Sequence, residues 1–141
     1  MKKMKGPLFI FLISLLVYSC AEKKSLEEKS ITLNQKEKDY IKAIPGEDQE
    51  LDAELIKKGE VLVAYSDCYD CHKEVNRAKG PAFRDIAKRY PANTIYIEHL
   101  ARQVIRGSKG SWGYPVMSPH PQVKKEDAEA MVTFILSLRG Q

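Results

Sequence analysis

The sequence predicts an all-α domain in the larger, C-terminal part of the chain, and three features support this fold class. After residue 50, apolar residues recur at the three- and four-residue spacing of amphipathic helices. No segment has the strict alternation of apolar and polar residues that marks a half-buried strand. A Cys-x-x-Cys-His motif, at residues 68–72, directly follows the first of these helical segments.

The first 19 residues are predicted to be an export signal. Lys2, Lys3 and Lys5 form a basic start, and the apolar run after them, about ten residues, is too short to span a membrane. The run ends in the sequence LVYSC (residues 16–20), which resembles the lipobox of bacterial lipoproteins. This resemblance implies cleavage before Cys20 and lipidation of Cys20, which would account for the third cysteine of the chain. The alternative is an uncleaved or ordinarily cleaved signal with an incidental cysteine.

Residues 20–50 are predicted to be a lipidated, charged tether. The segment mixes Lys and Glu with few apolar side chains, so it cannot bury enough surface to offset the entropy of folding. A short turn containing Tyr40, Ile41 and Ile44, docked on the domain, is the alternative. The folded domain is then expected to comprise residues 51–141.

The charge of the chain bears on its partners. The formal net charge is +4, and three of these charges belong to the basic start of the signal. A nucleic-acid-binding domain would carry a basic surplus on its folded part, so this distribution argues against a nucleic-acid partner. The length of 141 residues supports one domain.

The first helix of the domain is expected to begin at Leu51. Leu51, Leu55, Leu62 and Tyr65 fall near one face, which is predicted to be buried. Gly59 lies inside this helix, where a glycine costs up to about 1 kcal/mol relative to alanine. Either the helix tolerates the glycine, or another helix packs closely against it.

The motif that follows is the attachment signature for c-type haem. Thiols at Cys68 and Cys71, three positions apart on a helical turn, can each add to one haem vinyl group, and His72 can then bind the iron as the proximal ligand. A thioredoxin-like pair would follow a strand in a βαβ pattern, which is absent from this sequence. A zinc site would need two more ligands at close spacing, and His99 and His120 lie 21 positions apart. One covalent haem is therefore the favoured prediction.

Two further helices are expected downstream of the motif. Gly80-Pro81 predicts a turn followed by a short helix. Asn93 or Thr94 can cap the next helix, and Gly107 closes it.

The last part of the domain is predicted to be a loop and a final helix. Prolines restrict the backbone from Ser108 to Pro119, so this loop is expected to lack regular structure. The final helix, from Lys124 to Leu138, is predicted to bury Ala128, Met131, Phe134, Ile135 and Leu138.

The residue that fills the second axial position of the iron decides the function. A strong ligand makes an electron carrier, whereas an open position permits gas binding or peroxide chemistry. The candidates are Met117, His120 and Met131. Met131 occupies a core position of the last helix and is interpreted as packing, and His120 remains an alternative ligand. Spacing alone leaves Met117 undecided between an iron ligand and ordinary loop packing.

From residue 51 to 139 the chain resembles a class I c-type cytochrome of the small bacterial monohaem type. The matching pieces are Gly59, the haem motif, Gly80-Pro81-Ala82-Phe83, Ile86-Ala87, Gly107-Ser108, Gly110, Trp112-Gly113, Pro115-x-Met117-x-Pro119, Asp127-Ala128 and Phe134-Ile135-Leu136-Ser137. The resemblance implies a cytochrome c fold, with four to five helices wrapped around one covalent haem. It also implies that His72 and Met117 are the two iron ligands.

The same resemblance implies roles for other residues. The carbonyl of Pro81 would accept the N–H of the proximal histidine, and the indole of Trp112 would donate to a haem propionate. The first and last helices would cross at Gly59 against Phe134. Ser118 stands where the family often has proline, and Lys124 stands where a Ser or Thr usually caps the last helix.

The function implied is that of a membrane-anchored electron carrier, and not an enzyme, on the periplasmic side of a bacterial membrane. Expected partners are a quinol-oxidising complex or dehydrogenase upstream, and a terminal oxidase or reductase downstream. One alternative is a haem-based gas-binding or peroxide-reactive protein with a labile distal ligand. Another is a fixed electron-transfer subunit of a larger oxidase or dehydrogenase complex.

Overall fold

The computed structural model describes residues 41–140, and α-helices form most of the regular structure in this range. The helices are α1 (Ala53–Ala64), α2 (Phe83–Arg89), α3 (Thr94–Arg106) and α4 (Lys125–Ser137). A 3₁₀ turn (Asp67–Asp70) and the short strands β1 (Ser108–Gly110) and β2 (Gly113–Met117) lie between them. None of the described helices is long and apolar enough to cross a bilayer. The predicted signal, Cys20 and the tether as far as residue 40 lie outside the described residues.

The last helix, α4, is the central element of the fold, because it packs against α1, α2 and α3. Most of its side chains are buried on every side, as expected for a helix inside a core. Buried residues of α4 join one core cluster with Val63 and Phe83 and a second cluster with Tyr90 and Leu100. The prediction for its core face is confirmed at all five positions: Ala128, Met131, Phe134, Ile135 and Leu138.

The buried face of α1 differs from the predicted face. Leu55 is 41% exposed and Tyr65 is 91% exposed, so the prediction that they face the core was wrong. The buried residues of this helix are Gly59 and Val63. A β-carbon on Gly59 would overlap the carbonyl oxygen of Ala130 in α4, so the glycine allows the two helices to approach closely. This crossing, which periodicity alone does not reveal, determines which face of α1 is buried.

Both ends of α3 have the predicted chemistry. The side chain of Asn93 accepts a hydrogen bond of 3.2 Å from the amide of Tyr96 and caps the first turn. Gly107 ends the helix with φ at 74°, a conformation that favours glycine. A β-carbon on Gly107 would lie 2.7 Å from the carbonyl oxygen of Met117. The same glycine therefore ends α3 and lets the end of β2 approach it.

The segment after α3 contains regular structure that was not predicted. Instead of an irregular loop, β1 and β2 form an antiparallel hairpin in which Ser108 pairs with Met117, and Gly110 with Gly113. The two glycines have φ angles of 83° and 77°, which permit the tight turn between them. Each strand of a two-stranded sheet has a free edge, so Pro115 is compatible with the pairing.

Residues 44–49, here called the N-terminal strap, are hydrogen bonded to the turn between α2 and α3. The amide of Ile44 donates to the carbonyl of Arg89, and the amide of Gln49 donates to the carbonyl of Ala92, both at 2.8 Å. The amide of Ala92 donates in return to Asp48 Oδ1 at 2.7 Å. These polar contacts hold residues 44–49 against the helices, although the segment has few apolar side chains.

Candidate functional site

A cavity of about 510 Å³ opens between the helices and the hairpin. Its volume lies within the range of cofactor sites, roughly 300–1,000 Å³. Helices α1 to α4 all contribute apolar side chains to the wall: Val63, Phe83, Ile86, Leu100, Val104, Met131, Val132 and Ile135. The residues that the sequence assigned to the site also line it: Cys68, Cys71, His72, Pro81, Trp112 and Met117.

Cys68 lies in the 3₁₀ turn after α1, and Cys71 is the residue that ends this turn. The amides of Cys71 and His72 both donate to the carbonyl of Cys68, at 3.2 and 2.9 Å. Side chains three positions apart are eclipsed in such a turn, so the two thiols are presented to the same cavity.

The surroundings of Cys68 differ from those of a typical reactive thiol. Burial raises the pKa of Cys68, although a hydrogen bond of 3.0 Å from the hydroxyl of Ser66 partly opposes the shift. A lowered pKa is typical of reactive cysteines, and the Cys68 thiol lacks this property. The described residues also contain no group of three or more His, Cys, Asp or Glu side chains arranged to hold a metal ion.

The imidazole of His72 is fixed in one orientation by the backbone of Pro81. Its Nδ1 atom lies 2.7 Å from the Pro81 carbonyl oxygen. Because a carbonyl can only accept, Nδ1 carries the proton and Nε2 keeps its lone pair. Burial lowers the pKa of His72, whereas the hydrogen bond to Pro81 opposes the shift. A neutral imidazole with an unprotonated Nε2 is the form that binds a metal.

Two neighbours restrict the same ring further. The ring of Phe83 stacks on that of His72 with a centroid distance of 5.4 Å and an interplanar angle of 17°. A β-carbon on Gly80 would lie 2.6 Å from Cε1 of His72, so a larger residue there would displace the ring. Neither residue was predicted to contact His72, although both belong to the Gly80-Pro81-Ala82-Phe83 motif.

All three candidate distal ligands reach the cavity wall. Met131 is 5% exposed and part of the core, in agreement with its interpretation as packing. His120 has its Nε2 atom 3.4 Å from Oδ1 of Asp67, the residue before Cys68. Met117 stands at the end of β2, where pairing with Ser108 holds its backbone. Met117 is thus the candidate presented by the hairpin.

Trp112 lies at the turn of the hairpin and contacts two arginines that sequence reasoning missed. The Cζ atom of Arg89 lies 4.6 Å from the centroid of the indole ring. Arg77 donates from Nη2 to the carbonyl oxygen of Trp112 at 3.4 Å. These contacts join residues far apart in the sequence, and no local pattern indicates them.

The cavity fits a large, flat, apolar cofactor that is bound through thiols and one imidazole. Its apolar wall would cover the faces of such a group, while the two cysteines and Nε2 of His72 would hold it. The family model for cytochrome c matches residues 56–139, which include all of these positions. This chain belongs to the cytochrome c family.

Several cytochromes c are similar to the domain. Cytochrome c-551 of Pseudomonas denitrificans is 35% identical over 81 residues, which make up 57% of this chain and 98% of that protein. Cytochrome c-552 of Nitrosomonas europaea is 35% identical over 88 residues, or 62% of this chain and 79% of that protein. The crystal structure of wild-type Nitrosomonas europaea cytochrome c552 covers 62% of this chain and 100% of its own, with 35% identity and a TM-score of 0.49.

Membership of the family confirms the coarse predictions made from the sequence. The fold is a cytochrome c fold with four helices in the described range. This cytochrome c is a monohaem electron carrier, not an enzyme, and its cofactor is one covalently attached haem c. The Cys68-x-x-Cys71 spacing is consistent with this mode of attachment.

Proposed function

We propose that this cytochrome c holds its haem iron between His72 and Met117 and carries single electrons between redox proteins at the periplasmic face of a bacterial membrane. The observation that carries the proposal is the contact of 2.7 Å between Nδ1 of His72 and the carbonyl of Pro81. It leaves Nε2 of a neutral, buried imidazole as the nitrogen ligand. Met117, on the hairpin, supplies a sulfur ligand from a separate element of the same wall.

The residues around the cavity would have distinct tasks. Cys68 and Cys71 form the thioether bonds to the cofactor, and the bound haem supplies the one-electron Fe(III)/Fe(II) couple. Pro81 fixes the ring of His72, so that little rearranges when the charge of the iron changes. The soft thioether of Met117 favours Fe(II) and raises the reduction potential. Trp112 would donate its indole N–H to a propionate of the bound haem.

Electron exchange takes place through brief encounters with other redox proteins. The proposed route for electrons is the haem edge beside the attachment cysteines, Cys68 and Cys71. Small interfaces of limited lifetime suit such exchange. The proposed donor is a quinol-oxidising complex or a dehydrogenase, and the proposed acceptor is a terminal oxidase or reductase.

The N-terminal segment would keep the carrier at the membrane. Cleavage before Cys20 and acylation of that residue provide a lipid anchor. The strap contacts the helical domain from Ile44 onward, and a fully extended chain from Cys20 to Ile44 would reach about 80 Å. This length lets one anchored domain visit more than one partner.

A spectroscopic test of Met117 decides between the carrier and a gas-binding protein. We expect the wild-type protein to show a methionine–iron charge-transfer band when oxidised and to resist carbon monoxide when reduced. Met117→Ala should lose the band, bind carbon monoxide readily and have a lower reduction potential. Met131→Leu, a change of similar volume in the core, should keep the wild-type spectrum.

Two results would overturn this assignment. Ready binding of carbon monoxide by the wild-type protein would favour a gas-binding or peroxide-reactive function. An unchanged potential in Met117→Ala would remove Met117 from the iron and direct attention to His120, the other candidate of the wall.

The anchor has its own test. Mass spectrometry of the mature protein, purified from membranes in mild detergent, should give one covalent haem and an acylated N-terminal cysteine. Cys20→Ser should keep the haem and release the protein from the membrane fraction. A mature wild-type protein without acyl groups would refute the anchor, and constant copurification with an oxidase or dehydrogenase would favour a fixed subunit.

A further inference from the structure

We propose that Arg89 is a positioning residue that holds the β1–β2 hairpin against α2 through Trp112 and thereby keeps Met117 in place at the cavity. This inference deepens the function proposed above and rests on Met117 as an iron ligand. It assigns a role to an arginine that is not itself part of the cavity wall.

The environment of Arg89 is aromatic. Its Cζ atom lies 4.6 Å from the centroid of Trp112 and 5.7 Å from that of Tyr90. Its Nε atom is buried and has no hydrogen-bond partner within residues 41–140. A guanidinium over an indole face makes a cation–π contact, which strengthens when water is excluded. The side chain is therefore positioned to hold the indole ring.

The backbone of Arg89 is held in place by neighbouring elements. Arg89 is the last residue of α2, and its carbonyl accepts the amide of Ile44 from the strap at 2.8 Å. Tyr90, the next residue, is 4% exposed and belongs to the core cluster of α3 and α4. The backbone that carries the guanidinium is thus held from both sides.

Trp112, the other partner of the contact, belongs to the β1–β2 hairpin. An isolated two-stranded hairpin is only marginally stable in water, so this one depends on its packing against the helices. Trp112 lies at its turn, and Met117 closes its other end opposite Ser108. If the indole ring moves away from Arg89, the hairpin loses a contact with the end of α2. Met117 can then dissociate from the iron more easily. Arg89 thus acts on the distal ligand without touching it.

Two substitutions on α2 in the holoprotein test this role. Arg89→Gln removes the contact with Trp112, whereas Lys88→Gln removes the same charge from the adjacent, exposed position. We expect Arg89→Gln to raise the rate of carbon monoxide binding to the reduced protein about fivefold. This factor corresponds to the free energy of one cation–π contact. Lys88→Gln should leave the rate unchanged. Arg89→Lys, which keeps a cation on a flexible stem, should lie between the wild type and Arg89→Gln.

Fluorescence provides a second readout, because Trp112 is the only tryptophan of the chain. A haem close to the indole quenches its emission, so Arg89→Gln should increase the emission and Lys88→Gln should not. Equal rates and equal emission in the two Gln variants would overturn the proposal, since Arg89 would then contribute charge alone. Should Arg89→Gln fail to fold, the comparison of Arg89→Lys with Lys88→Gln takes its place.

The two proposals can fail separately. If Met117→Ala leaves the wild-type spectrum intact, the ligand assignment fails, while the emission of Trp112 still reports whether Arg89 holds the indole. If Met117→Ala behaves as expected and the Arg89 variants match the wild type in rate and emission, only the role of Arg89 fails.

Discussion

Gly59 of α1 and Ala130 of α4 occupy a helix crossing with no room for another atom. A β-carbon on Gly59 would overlap the carbonyl oxygen of Ala130 and lie 2.9 Å from Cβ of Phe134. The C-terminal end of α1 leads directly into the 3₁₀ turn with the attachment cysteines. The crossing therefore fixes the direction from which the haem motif enters the cavity.

Replacing this glycine should destabilise the protein even though alanine favours helices. We expect Gly59→Ala to lower the free energy of unfolding by about 1–3 kcal/mol, because the backbone of α4 must move to admit the methyl group. The gain in helix propensity, up to about 1 kcal/mol, offsets only part of this loss. Denaturant titration measures the free energy of unfolding. The control Lys57→Ala, at an exposed position, should change this free energy by less than about 0.5 kcal/mol. A Gly59→Ala variant as stable as the wild type would contradict the crossing.

Gly80, like Gly59, occupies a position without room for a β-carbon. A methyl group there would lie 2.6 Å from Cε1 of His72, so Gly80→Ala should push the imidazole away from the carbonyl of Pro81. We expect a loss of about 1–3 kcal/mol in stability and a change in the visible spectrum of the haem. Asn76→Ala, at an exposed position of the same loop outside the cavity wall, should change neither property. An unchanged spectrum in Gly80→Ala would show that the ring has room to move.

Local chemistry explains what the sequence could predict. Helix ends were found because Asn93 and Gly107 have the capping roles that their side chains favour. Cys68, Cys71 and His72 were found because the haem motif combines three ligating groups within five positions, whereas Pro81, Trp112 and Met117 were assigned through the resemblance to the cytochrome family. In each case the chemistry lies within a few residues of the chain.

Contacts between distant segments explain what was missed. The buried face of α1 depends on Ala130 of α4, far away in sequence, and not on the periodicity of α1 itself. The hairpin depends on the pairing of Ser108 with Met117, and the prolines in the segment obscured it. The contact between Arg89 and Trp112 depends on both the end of α2 and the hairpin. A pattern read along one segment contains none of this information.

The strap offers a test of how far the domain extends. Asp48 accepts the amide of Ala92 at 2.7 Å and lies 3.6 Å from Nη1 of Arg139. Asp48→Ala should lower stability by about 1–2 kcal/mol, because the amide of Ala92 loses its partner. Asp48→Asn keeps an accepting oxygen and loses only a half-exposed ion pair, so its effect should stay below about 1 kcal/mol. Equal losses in the two variants would indicate that the ion pair, and not the hydrogen bond, stabilises the strap.

The raised pKa of Tyr90 predicts how the stability of the protein changes at alkaline pH. Burial raises the pKa of Tyr90, although the charge of Arg89 partly opposes the shift. In the unfolded chain a tyrosine ionises near pH 10, so above that pH the unfolded state loses the proton before the native state does. The contribution of Tyr90 is therefore fully present below about pH 10 and is lost as the pH rises through its higher folded pKa, by at most about 1.4 kcal/mol per pH unit.

Denaturant titrations between pH 9 and 11, about one unit on each side of the tyrosine pKa, measure this loss. Tyr90→Phe, which keeps the ring and removes the ionisable group, should flatten the dependence. Tyr65→Phe serves as the matched control, because Tyr65 is 91% exposed and should leave the wild-type slope unchanged. Lysines and Tyr69, whose pKa is also raised by burial, are common to all three proteins, so the difference between the slopes isolates Tyr90. Equal slopes in Tyr90→Phe and the wild type would mean that the phenol ionises as readily in the native domain as in water.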